Sequence, residues 1–137
     1  MTLVRGGRLL FEGLGLHLDA GEALHVTGPN GSGKSSLIRL SAGLLRPSAG
    51  RIERAGRAAL ADEHLALDRE LPLGRALAFW NGGAAPQSAM EAMGVAHLAS
   101  VPVRLLSTGQ ARRARLARVI AADASLWLLD EPLNGLD

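Results

Sequence analysis

The octapeptide Gly28-Pro29-Asn30-Gly31-Ser32-Gly33-Lys34-Ser35 sets a lysine and a hydroxyl directly behind a glycine-rich run. Glycine, four residues, glycine, lysine and serine is the spacing of a phosphate-binding loop. The glycines let backbone N–H groups converge on phosphate oxygens without obstruction by a Cβ, and a helix opening near Gly33 points its positive dipole end at them. Lys34 adds a mobile cation for β and γ phosphates, and Ser35 offers a hard oxygen of the kind Mg²⁺ prefers. Lys34 is the only lysine in a chain with 15 basic residues. An ordinary glycine-rich turn would not need that lysine there.

Asp130 and Glu131 close the apolar run Leu126-Trp127-Leu128-Leu129. A carboxylate at the end of a buried strand beside the loop holds Mg²⁺ through water, and its neighbour orients or polarises an attacking water, so Asp130 reads as metal partner and Glu131 as base. Many strands end on charged residues where they meet solvent, and the phosphate loop upstream is what favours the functional reading. A third segment, Leu106-Ser107-Thr108-Gly109-Gln110, precedes a helix. Ser107 is a good N-cap and Gly109 leaves backbone amides open, so this helix end can receive an anion. Arg112, Arg113, Arg115 and Arg118 spread around that helix rather than forming a stripe. They read as a solvated face or as partners of acids, and a net charge of +2 gives little support to a nucleic-acid partner.

These residues must be carried by a strand, a loop and a helix in succession. Leu14, Leu16 and Leu18 alternate with Gly15 and His17, predicting a half-buried strand that ends at Asp19-Ala20-Gly21. A second strand, Glu22 to Thr27, returns as its hairpin partner and leads into the loop. Leu37, Ile38, Leu40 and Ser41 then follow at helical spacing, with Gly43 as the stop and Pro47 forbidding continuation. Gly50 to Glu53 predicts another short strand, and Arg54 to Arg69 has no clear pattern. Helices are expected over Leu73 to Trp80, Ala89 to Ala99 and Gly109 to Ala122, a small helical insert spanning approximately 71–122. Ser125 to Leu129 predicts a central parallel strand buried on both faces. With 137 residues and no cysteine, the chain predicts a single domain without disulfides or a cysteine metal site. No stretch reaches the roughly 18 uninterrupted apolar residues of a membrane helix.

Taken in this order, the three motifs resemble the nucleotide-binding subunit of ATP-binding cassette (ABC) transporters. The resemblance implies an α/β fold, a P-loop NTPase of the ABC ATPase type, with a mixed sheet, an N-terminal antiparallel β-subdomain and the small helical insert, lacking the C-terminal strands. It makes Gly28, Pro29, Asn30, Gly31, Ser32, Gly33, Lys34, Ser35 and Ser36 the Walker A loop, Leu126 to Asp130 Walker B, Glu131 the catalytic glutamate, and Asn134 to Asp137 the D-loop. Ser35 and Asp130 would serve the metal. Leu106 to Gln110 becomes the signature sequence, the motif that separates this family from other phosphate-loop NTPases. The implied cofactors are ATP and Mg²⁺, and the implied assembly is a head-to-tail homodimer in which Ser107, Gly109 and Gln110 face the γ-phosphate held by Lys34 of the other copy. Membrane-spanning transporter subunits would be its partners, at the cytoplasmic face of a bacterial inner membrane, with no nucleic acid expected.

Within the family the wording is similar to the ATP-binding subunit of the cytochrome c maturation heme exporter. Arg5-Gly6-Gly7-Arg8-Leu9-Leu10-Phe11, Glu70-Leu71, Phe79-Trp80, Pro102-Val103-Arg104 and Leu126 to Leu133 carry that similarity. Its alternatives are a subunit of another ABC transporter, a soluble ABC protein acting on ribosomes or DNA repair, or a nucleotide-binding remnant without turnover. Several positions depart from the family. Arg5 stands about where an aromatic residue usually stacks on adenine, with Phe11 expected in the core. Asp62-Glu63-His64 lies where a Mg²⁺-sensing glutamine is usual, and the choice among the three stays open. Thr108 replaces the usual glycine of the signature. The sequence ends at Asp137, ahead of the family's γ-phosphate histidine, a place that His17, His25, His64 and His97 do not fill by position. The expectation is a polypeptide that binds Mg-ATP, hydrolyses it poorly and aggregates through an open sheet edge.

Overall fold

The structure, a computed structural model, describes residues 1–133, so the expected D-loop lies outside the described residues. The chain opens with an antiparallel hairpin of β1 (Leu3–Arg5) and β2 (Arg8–Phe11). Its turn is Gly6-Gly7, with φ of +56° and +75°. Positive φ at both central residues matches the right-handed twist of the flanking strands, which is why Gly-Gly serves there. The sequence expectations do not include this hairpin, although a Gly-Gly pair between two short segments such as Leu3-Val4-Arg5 and Arg8-Leu9-Leu10 is a hairpin signal.

The hairpin that was expected, Leu14 to Leu18 with Glu22 to Thr27, does not form. The turn between them exists, held by Glu22 N–H to the Asp19 carbonyl at 3.1 Å and by Asp19 N–H to Glu22 Oε2 at 2.8 Å. No ladder follows it, and Leu16, Leu18, Leu24 and Val26 stay 36–53% exposed. Alternation gives a segment one apolar face, but a strand also needs a neighbour for its backbone groups, and among the described residues that neighbour reaches only Leu14, whose N–H and carbonyl both bond Met1. Gly50 to Glu53 likewise forms no strand; the residues just before it are tied to the N-terminus by the bridge of Thr2 with Ala49 and by Val4 N–H donating to Ser48 Oγ at 2.9 Å.

After the glycine loop comes α1 (Lys34–Ala42), which buries Leu37 and Leu40 and ends at Gly43 in the left-handed conformation, as the sequence predicts. β3 (Ala58–Ala61) then lies parallel to β4 (Leu126–Leu129), with Ala58 opposite Leu126 and Ala61 opposite Leu129. β3 falls in the stretch that had no readable pattern. The described strands thus form two separate two-stranded sheets, one antiparallel and one parallel. β4 is parallel as expected but not buried on both faces, since Trp127 is 51% exposed.

Between β3 and β4 lie α2 (Leu73–Trp80), α3 (Gln87–Ala92), 3₁₀ turns at Ala96–Leu98 and Val103–Leu105, and α4 (Thr108–Ala121). The expected helix from Ala89 to Ala99 is cut short: it stops after Ala92, and Gly94 at φ +67° redirects the chain. Leu73, Leu77, Met90 and Val95 are fully buried here with Ala114 and Ala117 of α4. Burial of each large side chain contributes about 1.5–3 kcal/mol. Arg104 N–H to the Arg69 carbonyl, Val103 N–H to the Leu71 carbonyl and Leu73 N–H to the Val101 carbonyl, at 2.9–3.0 Å, close the insert at its base. The other side of α4 buries Val119 against Ala59 and Ala61 of β3. One helix therefore joins the helical cluster to the parallel strands.

Candidate functional site

The glycine loop reaches α1 through Gly33, whose φ of +102° is a conformation L side chains rarely adopt. A Cβ at Gly33 would also meet Leu10 Cβ and Phe11 Cδ1 at 3.4 Å, so β2 packs against the base of the loop. Phe11, expected in the core, is half-buried at this contact. Arg5 is exposed on β1. Within the loop Ser32 N–H donates to the Pro29 carbonyl at 3.2 Å. Among the described residues, the backbone N–H groups of Gly31, Gly33, Lys34 and Ser35 have no protein acceptor. Gly33 carries no side-chain cap for α1, and no acidic residue occupies the first turn. Uncapped amides and an uncompensated dipole end are the features with which a helix terminus can receive an anion. Lys34 Nζ folds back over the loop and donates to the carbonyls of Gly28 and, at 3.0 Å, Pro29.

β3 and β4 end beside α1. Asp130 N–H donates to the Ala61 carbonyl at 2.8 Å, which extends the parallel ladder by one step and fixes where the acidic pair leaves it. Glu131 turns there with φ +47°, a left-handed conformation uncommon outside glycine. A cleft of about 220 Å³ results, lined by Ser35, Arg39, Asp62, Glu63, Arg112, Arg115, Asp130 and Glu131. The structure thus brings Ser35, Asp130 and Glu131 together, from positions far apart in the sequence. Ser107, Gly109 and Gln110 do not line this cleft. They stand at the N-terminus of α4, where Ser107 Oγ accepts from Gln110 N–H at 3.2 Å and Gln110 Oε1 accepts from Ser107 N–H at 2.9 Å, a reciprocal capping box.

Arg39, Asp62, Glu63, Arg112 and Arg115 join the cleft without belonging to any of the three motifs. Of the Asp62-Glu63-His64 triplet, the first two line the cleft. Asp62 Oδ1 accepts from His64 N–H at 2.9 Å, and Oδ2 lies 3.3 Å from His64 Nδ1. Burial raises the Asp62 carboxyl, but the His64 hydrogen bonds and the His64 and Arg39 charges outweigh it, so its pKa sits below the ordinary value. Glu63 pairs with Arg39 at 3.5 Å. Burial is the largest influence on Arg115 and pulls its guanidinium below the ordinary value, with Asp62 and Glu63 opposing. Arg112 and Arg115 share the cleft with Asp62 and Glu63 without a direct ion pair to them, and one Nη of each arginine is buried without a hydrogen-bond partner among the described residues.

The donor set suits Mg²⁺: one hydroxyl and carboxylate oxygens, all hard ligands. Among the described residues no group of three or more His, Cys, Asp or Glu side chains could hold a metal unaided. A cation that takes part of its shell from phosphate and water fits such a site.

The sequence family described as ABC transporter matches residues 11–134. The chain belongs to the ABC transporter family. Over its whole length it is 61% identical to the cytochrome c biogenesis ATP-binding export protein CcmA of Sphingopyxis alaskensis and 55% identical to the protein of the same name from Zymomonas mobilis. It spans 73% and 64% of the lengths of those two relatives. Among solved structures it is similar to a metal-chelate type ABC transporter in an inward-facing conformation, with a TM-score of 0.74 and 29% identity over 93% of this chain and 56% of that one. The family's α/β fold accommodates both small sheets. Among the described residues, no helix is long and apolar enough to cross a membrane.

Proposed function

We propose that the chain is the ATP-binding and ATP-hydrolysing part of an ABC transporter that couples turnover to heme export or delivery in cytochrome c biogenesis. The observation that carries the ATPase reading is the convergence of Ser35, Asp130 and Glu131 on one cleft beside a loop whose amides and lysine are arranged for phosphate. The heme assignment rests on the 61% identity to a cytochrome c biogenesis ATP-binding export protein. Residues 1–137 form one nucleotide-binding domain in this reading, with approximately 71–122 as its helical subdomain.

The chemistry follows from the residues. Loop amides and the α1 terminus hold the β-phosphate, and Lys34 exchanges its Gly28 and Pro29 carbonyls for β and γ oxygens. Ser35 and Asp130 would hold Mg²⁺, which when bound neutralises charge developing on the phosphates. Glu131, beside Asp130, orients water toward the γ-phosphate as its base. Ser107 and Gly109 cap the γ-phosphate of a second copy in a head-to-tail dimer, which accounts for their absence from the cleft lining. Membrane-spanning subunits at the cytoplasmic face of the inner membrane complete the assembly.

Calorimetric titration with Mg-ATP tests the reading through Lys34→Ala. A charge-assisted hydrogen bond contributes about 1.5–3 kcal/mol, so the variant should bind roughly 10- to 100-fold more weakly. Equal affinity in the two proteins would overturn the loop assignment.

A further inference from the structure

The segment that carries Asp62 and Glu63 from β3 into the cleft is held at both ends by two side chains that also touch each other. Arg118, on α4, donates from Nη2 to the Leu60 carbonyl at 2.6 Å. Trp80, the last residue of α2, donates from Nε1 to the Ala66 carbonyl at 2.9 Å. The Arg118 guanidinium carbon lies 5.2 Å from the centre of the Trp80 ring, in cation–π range. Ala66, the residue Trp80 holds, has φ +56°, a conformation alanine leaves readily unless its surroundings impose it. Burial lowers the pKa of Arg118 and the charge of Asp62 opposes that, so the guanidinium is electrostatically linked to the cleft as well as to the clasp.

We propose that Arg118 and Trp80 are positioning residues for the nucleotide cleft: clasped together, they set the Asp62-Glu63 turn against Ser35 and Asp130 and tie its position to α2. The inference rests on the nucleotide reading above and goes beyond it, because neither residue lines the cleft or belongs to a phosphate-contacting motif. The physical case is one of constraint. Residues 60 and 66 bracket the acidic turn, and each carbonyl is held by a different helix, α4 at one end and α2 at the other. The two helices meet over the same turn through the Arg118–Trp80 stack. A shift of Asp62 or Glu63 on arrival of Mg-nucleotide then moves a carbonyl that Arg118 or Trp80 holds. Either way the ring–guanidinium separation changes.

Trp80 supplies its own readout. The chain has two tryptophans, and Trp127→Phe leaves Trp80 as the only indole. In that background saturating Mg-ATP should shift or quench Trp80 emission. Adding Arg118→Met, which keeps an unbranched apolar stem but removes charge and donor, should abolish the response. Calorimetry on the same proteins should show that affinity for ATP without Mg²⁺ is kept. The ratio of Mg-ATP to Mg-free affinity should fall roughly three- to tenfold. A purely structural role would weaken both affinities together. If Arg118→Met does not fold, Trp80→Phe in the otherwise unaltered chain takes its place. That variant keeps a ring over Arg118 but loses the bond to Ala66, and the same ratio should fall. An unchanged ratio in a folded variant, or no Trp80 response when calorimetry records Mg-ATP binding, overturns the clasp. If the parent chain binds no nucleotide at all, the nucleotide reading fails and the clasp's role fails with it.

Discussion

Ser107 carries two separable properties, and a pair of substitutions divides them. Its side chain caps α4, and α4 holds Ala114, Ala117 and Val119 at 0–1% exposure, so both clusters of buried residues depend on that helix. Ser107→Ala removes the acceptor for Gln110 N–H and leaves half of the capping box. The helix end is exposed and water replaces part of the loss, which sets the cost at about 1 kcal/mol. For a domain of this size that is a drop of about 3–5 °C in melting temperature. Ser107→Asp keeps an acceptor for the same N–H and puts a negative charge on a first turn that now has no acidic residue. The dipole interaction adds about 0.3–1 kcal/mol, so this variant should melt at or above the parent. A negative charge there is also the worst neighbour for a γ-phosphate presented by a second copy. Nucleotide-dependent dimerisation, followed by sedimentation with Mg-ATP, should therefore weaken in the aspartate variant despite its intact stability. If aspartate melts with alanine, the capping argument is wrong. If the aspartate variant dimerises as the parent does, Ser107 does not meet a partner's phosphate.

Met90 is fully buried among Leu73, Leu77 and Val95, and Met90→Ala should cost about 2–5 kcal/mol, read as a lower urea midpoint at an unchanged slope. Gly33→Ala places a Cβ at φ +102° and 3.4 Å from Phe11, which should cost about 1–3 kcal/mol and weaken Mg-ATP binding; wild-type affinity and stability would contradict the loop geometry. Asp62, with only 12% of its side chain exposed, has a folded pKa below its ordinary value. A depressed carboxylate pKa stabilises the fold above the unfolded value near 3.8 and loses that contribution as pH falls through the folded one. Asp62→Asn should thus be less stable than the parent at pH 7, with the two urea midpoints converging as pH falls below 3.8 and through the lower folded value. A constant difference across that range would refute the assignment.

What was legible depended on how far along the chain each signal reached. α1, α2 and α4 each carry a local signal at one end: Gly43 at a left-handed C-terminus, Pro72 ahead of the first turn of α2, Ser107 with Gln110 across one turn. The glycine loop ahead of α1 is legible for the same reason, because its unpaired amides come from one continuous stretch. β3 was invisible because Ala58, Ala59 and Ala61 have weak strand preference. Its pairing with Leu126 to Leu129 and its burial under Val119 form it, and both lie far along the chain. The strands expected over Leu14 to Leu18 and Glu22 to Thr27 fail in the opposite sense. Their alternation is real, yet a ladder needs a second backbone, and periodicity in one segment says nothing about its neighbour.

The same distinction separates the motif residues from the rest of the cleft. Ser35, Asp130 and Glu131 can be named from motifs, but Arg112 and Arg115 enter only because α4 crosses the end of β3. Asp62, Glu63, Asp130 and Glu131 share the cleft with Arg39, Arg112 and Arg115, so its acids exceed its bases by one formal charge when all are ionised. An acidic excess that small needs little compensation from solvent, and a divalent cation reverses its sign. Once reversed, the cleft attracts a polyanion, and in the proposed reading that is the polyphosphate held by the loop amides and Lys34. Nucleotide affinity should therefore depend on Mg²⁺ through the whole cleft rather than through Ser35 and Asp130 alone. Arg115→Gln, which makes the cleft more acidic without touching the loop, should weaken binding of Mg-free ATP more than binding of Mg-ATP. Equal weakening of the two by calorimetry would show that the arginine acts through packing and not through charge.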